Sequence, residues 1–148
     1  MSILSNFSDR LNEQMILRSL NAPALAEKVG VSRATIAGFL RGAHLPSRKI
    51  FFALLEFFNC SADYLLGFDD FPPTNVIYVK PVEKFGIRFR KLLTEFNCSQ
   101  YKLEKDLDIS GNLVYKWLHD LTQPNVESFI KLANYFDVSV DFIIGRST

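Results

Sequence analysis

Apolar residues recur at helical spacing from the start of the chain. Phe7, Leu11, Met15 and Leu17 fall in residues 5–18 with the rhythm of an amphipathic helix. Pro23 stands where a helix tolerates proline, in the first turn. A second helix is predicted to run from there to about Val29, where Gly30 can take the left-handed conformation that ends it. Ser32 is a natural N-cap, because its side-chain oxygen can accept a hydrogen bond from a free amide of the next turn. A third helix is predicted from Arg33 to about Arg41, stopped by Gly42. Pro46 and Ser47 open a fourth, over about 48–58. There Phe51, Leu54, Leu55 and Phe58 face inward, while Ile50 and Phe57 fall on other faces and are predicted to be exposed. Ser61 caps a last short helix ending at Gly67.

The same pattern then returns. Shifted by 78 positions, 62 residues align without a gap, with 12 identities. Phe7 meets Phe85, Arg10 meets Arg88, Ser32 meets Ser110, Pro46 meets Pro124 and Gly67 meets Gly145. The non-identical matches keep their character where a core needs it. Val29 pairs with Leu107, Val31 with Ile109, Ile36 with Val114 and Phe39 with Trp117. Such self-similarity marks two copies of one structural unit. In the second copy Ser99, Ser110, Asn125 and Ser139 stand at the cap positions.

The prediction is therefore an all-α chain of two five-helix domains, residues 1–70 and 83–148, joined by a linker at 71–82 that contains Pro72, Pro73 and Pro81. Within the linker, Val76-Ile77-Tyr78-Val79 has strand character. It is read either as plain extended chain or as a short strand that pairs with a partner chain. The stretch from Gly67 to Pro81, 15 residues, reaches about 50 Å when extended.

Composition narrows the function. The chain has 148 residues, 48% hydrophobic and 22% charged, enough to bury a core. Its net charge of +1 means that any nucleic-acid footprint must be local. No apolar run approaches the ~18 residues of a membrane span, and no secretory leader is evident, so the expected location is cytoplasmic. Cys60 and Cys98 form no CxxC pair. His44 and His119 have no nucleophile or carboxylate at a meaningful spacing, and there is no phosphate loop or zinc motif, so neither an enzyme nor a cofactor is expected.

The run Leu25-Ala-Glu-Lys-Val-Gly-Val-Ser-Arg-Ala-Thr-Ile-Ala-Gly-Phe-Leu-Arg-Gly, followed by Pro46, resembles the lambda-repressor-like (Xre/Cro-type) helix-turn-helix family. The second copy resembles it through Ser99-Gln-Tyr-Lys-Leu, Ile109-Ser110, Pro124 and the ending Phe136-Asp-Val-Ser-Val-Asp-Phe-Ile-Ile-Gly. The resemblance implies a third helix lodged in the DNA major groove. It implies base or cap contacts from Ser32, Arg33, Ala34 and Thr35, and from Gly38 on the next exposed face. Arg33 is the expected guanine reader, since a guanidinium bonds guanine bidentately. Arg41, His44, Arg48 and Lys49 sit where the family grips the phosphate backbone, which positions without specifying.

Local charge agrees. Between Lys28 and Leu55 there are five basic residues and no acid. The matching window of the second copy, Asp106 to Ala133, nets −2, and Asp108 and Asp120 replace the turn and closing glycines. Asp can adopt the left-handed conformation, at some cost. Two readings of the second copy stay open. It contacts DNA through Gln100, Ser110, Asn112, Tyr115, Lys116 and His119, helped by Lys84, Arg88, Arg90 and Lys91, or it dimerises or holds a protein partner.

The function read from the sequence is sequence-specific binding of double-stranded DNA by a transcriptional regulator, a repressor by operator occupancy, working either as a homodimer joined through the second copy or with both copies of one chain on DNA. The rival is a protein-interaction module on the same scaffold, such as an antirepressor, antitoxin or inhibitor.

Overall fold

The structure is a computed structural model and describes residues 2–70 and 83–146. The linker and the Val76–Val79 strand expectation lie outside the described residues. The chain divides into two compact units, Met1–Tyr78 and Val79–Thr148. Among the described residues all regular structure is helical, in ten helices.

The first unit holds α1 (Ile3–Leu17), α2 (Ala22–Val29), α3 (Arg33–Leu40), α4 (Arg48–Phe58) and α5 (Ala62–Leu65). Each begins at a side chain that accepts an amide of the first turn: Ser2, Asn21, Ser32, Ser47 and Ser61. Capping of this kind contributes about 1 kcal/mol per helix, which matters for helices this short. α3 lies across α1 and α2, and α2 also packs on α4. Their inward faces meet in one core of Phe7, Leu11, Leu25, Ile36, Phe39, Phe51, Leu54 and Phe58. Phe7 meets Phe39 edge to face, with ring centroids 5.5 Å apart.

The second unit repeats the order with α6 (Phe85–Glu95), α7 (Gln100–Leu107), α8 (Gly111–Leu118), α9 (Val126–Phe136) and α10 (Val140–Ile143). Here Phe85, Phe89, Trp117 and Phe129 form an aromatic core around α6 and α8. Gly30 (φ 74°) and Asp108 (φ 54°) end α2 and α7 in the left-handed region, as the turn chemistry requires.

Two expectations need correction. Ile50 and Phe57 are half-buried rather than exposed, and the Phe57 ring lies edge-on to Phe58 at 5.1 Å. The most exposed large apolar side chains of the first unit are instead Ile16 and Leu17, at the end of α1, with Phe68 beyond α5 exposed as well. Helical periodicity places a residue on a face but does not say which neighbouring elements cover that face.

Candidate nucleic-acid interface

The helix-turn-helix of the first unit is built by the close of α2 and the cap of α3. The amide of Gly30 donates to the Ala26 carbonyl at 2.9 Å and that of Val31 to the same oxygen at 3.0 Å. Ser32 Oγ then accepts the Thr35 amide at 3.1 Å and lies 2.8 Å from Thr35 Oγ1. Ser32 and Thr35 are thus engaged in holding the start of α3, and Thr35 is half-buried. Arg33 and Ala34 stand exposed on the first turn.

The charges are placed against the local dipole. Arg33 opens α3, and Arg48 and Lys49 open α4, with no acidic residue in either first turn. A cation at the positive end of a helix is disfavoured by about 0.3–1 kcal/mol, so these positions are best relieved by an external anion. Arg33, Arg41 and Lys49 are exposed and form no ion pair among the described residues. Arg48 is exposed too, its guanidinium 5.9 Å from the Phe52 ring centre.

Gly38 does not lie on an exposed face. It is buried, and a Cβ built on it would stand 2.7 Å from His44 Nε2. The loop after α3 folds the His44 ring back over it, a contact between residues that no helical periodicity reveals. His44 itself is exposed, with its ring edge-on to Phe39 at 5.2 Å.

The second unit differs at every one of these cations. In the 78-residue register Lys28, Arg33, Arg41, Arg48 and Lys49 become Asp106, Gly111, His119, Val126 and Glu127. Gln100, Asn112 and Tyr115 are exposed, Lys116 is half-buried, and Ser110 Oγ caps α8 by accepting the Leu113 amide at 3.1 Å. A Cβ built on Gly111 would lie 2.7 Å from Glu104 Oε1, so a carboxylate rests against the first residue of α8. The counterpart of Glu104 is the buried Ala26. Where the first unit presents a guanidinium, the second presents a carboxylate.

The basic residues of α6 are also committed inside the unit. Arg88 is buried and gives Nε to Glu83 Oε1 at 2.7 Å and Nη1 to the Phe142 carbonyl at 2.8 Å. Lys91 Nζ meets Glu83 at 3.0 Å, and Arg88 and Lys91 together hold the Glu83 carboxyl below its ordinary range. Arg90 donates to the Leu118 carbonyl at 3.0 Å. The expectation that Arg88 reaches phosphate is overturned by its burial. Asp106 is engaged as well, accepting from Tyr135 Oη at 2.6 Å and from Lys102 Nζ at 3.0 Å.

Sequence reasoning missed Glu104 and the seat of His44. The only signal was the pair of glycines, Gly38 within a predicted helix and Gly111 at the first position of α8, since glycine is a poor helix former.

Comparison with known proteins agrees with this architecture. The Helix-turn-helix family matches twice, at residues 14–65 and 89–143, together more than half of the chain. The chain is 32% identical over 62 residues to an uncharacterized HTH-type transcriptional regulator of Methanocaldococcus jannaschii, covering 42% of this chain and 94% of that protein. No solved structure matches it at a significant level. The chain belongs to the helix-turn-helix family and carries two tandem copies of its domain. Among the described residues no helix is long and apolar enough to cross a membrane.

Proposed function

We propose that the protein is a sequence-specific DNA-binding transcriptional regulator that acts as a repressor by occupying its operator. The observation that carries this reading is the set Arg33, Arg48 and Lys49, exposed at the positive ends of α3 and α4 with no acid in either first turn. With α3 in the major groove, Arg33 reads a guanine edge and Ala34 lies against the base edges. Arg41, Arg48 and Lys49 hold the phosphates. The relative from Methanocaldococcus jannaschii, itself an uncharacterized HTH-type transcriptional regulator by name, supports the same reading.

In this reading the domains span 1–70 and 83–148, with the linker at 71–82 between them. Two chains act as a homodimer, placing two copies of the first domain on half-sites ~34 Å apart. The protein works by binding, without a cofactor, in the cytoplasm.

A second reading applies to the second domain alone. The replacement of all five cations and the carboxylate of Glu104 beside Gly111 favour contact with protein over DNA. DNA that approached α8 would meet a negative charge where the first domain offers a positive one.

The test is Arg33→Ala, with binding to a selected duplex and to a scrambled one followed by fluorescence anisotropy. A loss of about 1–3 kcal/mol on the selected duplex alone is expected. Unchanged selectivity would remove Arg33 from its role as base reader.

A further inference from the structure

The recognition helix α3 and the start of α4 are separated by residues 41–47, and their relative placement depends on that connection. α3 closes with Gly42 in the left-handed region, φ 71°. The Gly42 amide donates to the Phe39 carbonyl at 3.0 Å and the Ala43 amide to the Gly38 carbonyl at 2.9 Å. These paired bonds satisfy the last carbonyls of the helix and turn the chain back along it.

The next residue, His44, then lays its ring on α3. It meets Phe39 at 5.2 Å, and Phe39 in turn meets Phe7 of α1 at 5.5 Å, so three rings run from the core to the connection. Nε2 faces Gly38, where a Cβ would lie 2.7 Å away, too close for any real contact. Nδ1 lies 3.4 Å from the Leu45 carbonyl. Both ring nitrogens therefore face protein. Glycine weakens a helix interior relative to alanine, and here the seat for the ring gives the reason for it.

The second unit supplies an internal comparison. Its counterparts of Gly38 and His44 are Lys116 and Thr122, so both members of the contact change together. The aromatic positions beneath them persist as Trp117 and Phe85. The contact is lost in the unit that has also lost its cations.

We propose that His44 is a positioning residue of the DNA interface. Its ring, seated on Gly38, fixes the distance between α3 and the start of α4. Arg48 and Lys49 are thereby held at the phosphates while Arg33 is in the groove. This rests on the assignment of the first unit to DNA. The imidazole acts through what it holds rather than through a bond of its own to a base or a phosphate.

The experiment uses the full chain and a duplex selected by the wild-type protein, with affinity measured across a salt series and folding followed by urea denaturation. Displacing the ring in Gly38→Ala, or removing it in His44→Ala, is expected to lower the salt slope by about one to two, since each phosphate contact contributes roughly 0.9. The double variant Gly38→Ala/His44→Ala should lose no more than either single one. His44→Phe should restore most of the slope, because the ring and not its nitrogens does the positioning. If His44→Ala does not fold, Gly38→Ala and His44→Phe carry the comparison. The proposal is overturned if His44→Phe falls as far as His44→Ala, or if folding stability changes while the slope does not. A wild-type chain that selects no duplex fails the DNA reading itself, a result visible before any variant is made.

Discussion

Asp120 Oδ1 accepts the backbone amide of Gly86 at 2.9 Å, so a residue 34 positions away caps the start of α6. The local N-cap position, Lys84, has no side-chain acceptor for this purpose. Asp120 holds a left-handed φ of 55° where the first unit has Gly42 at 71°. The strain of an aspartate in that conformation is offset by the bond that glycine cannot make. Gly86 is required in turn, because a Cβ there would stand 2.5 Å from Asp120 Oδ2. The first unit solves the same junction differently, with Ser8 Oγ donating to the Leu40 carbonyl at 2.6 Å.

Asp120→Ala should therefore destabilise the second unit by about 1–2 kcal/mol, from loss of the cap with no relief of the backbone. Asp120→Gly should cost less, since it relieves the backbone strain, and Asp120→Asn least, since it keeps the acceptor. Trp117, the only tryptophan, lies in the core of the second unit and reports its unfolding by fluorescence during urea titration. Equal losses for the alanine and glycine variants would contradict this account.

Much of the fold was legible because it is set locally. Serine or asparagine before an apolar run, and glycine or aspartate after it, specify where these short helices begin and end, and the structure places caps at Ser32, Ser47, Ser61, Ser99, Ser110, Asn125 and Ser139. The features that escaped are contacts between distant residues or across loops. The seat of His44 on Gly38, the Glu104 carboxylate beside Gly111 and the burial of Arg88 under Phe142 all depend on packing. A basic residue on a predicted helix reads the same whether it faces solvent or a carbonyl, which is why Arg88 and Arg90 looked available.

Arg48→Ala and Lys49→Ala should each weaken binding to selected and unselected duplexes alike, lowering the salt slope by about one. Arg48 also covers the Phe52 ring, so its removal should cost a little folding stability as well. Affinity measured between low and physiological salt separates these effects. A sequence-selective loss in either variant would mean that it reads a base.

The Tyr135–Asp106–Lys102 contact gives the second unit a defined response to pH. The Asp106 carboxyl is held below its ordinary range, by the Tyr135 hydroxyl first and Lys102 second. Its contribution to stability is present above the unfolded carboxylate pKa and is lost as pH falls through the lower folded value. The Tyr135 hydroxyl is pushed above its ordinary value by its bond to Asp106 and then by burial. That contribution is full below the unfolded tyrosine pKa and is lost as pH rises through the raised folded value. In an ultraviolet titration, Tyr135→Phe should remove absorbance from the last part of the tyrosinate rise. Loss from the early part instead would show that the hydroxyl is not held by Asp106.

The central claim is that the first unit reads DNA and the second does not. The most direct test is selection from a random pool of double-stranded DNA at about 0.15 M salt, with the wild-type chain, Arg33→Ala and Asn112→Ala run side by side. The expected result is one enriched inverted repeat for the wild type, the same repeat for Asn112→Ala, and its loss for Arg33→Ala. Two unlike motifs at fixed spacing would place the second unit on DNA after all, and no enrichment by the wild type would contradict the DNA-binding account altogether.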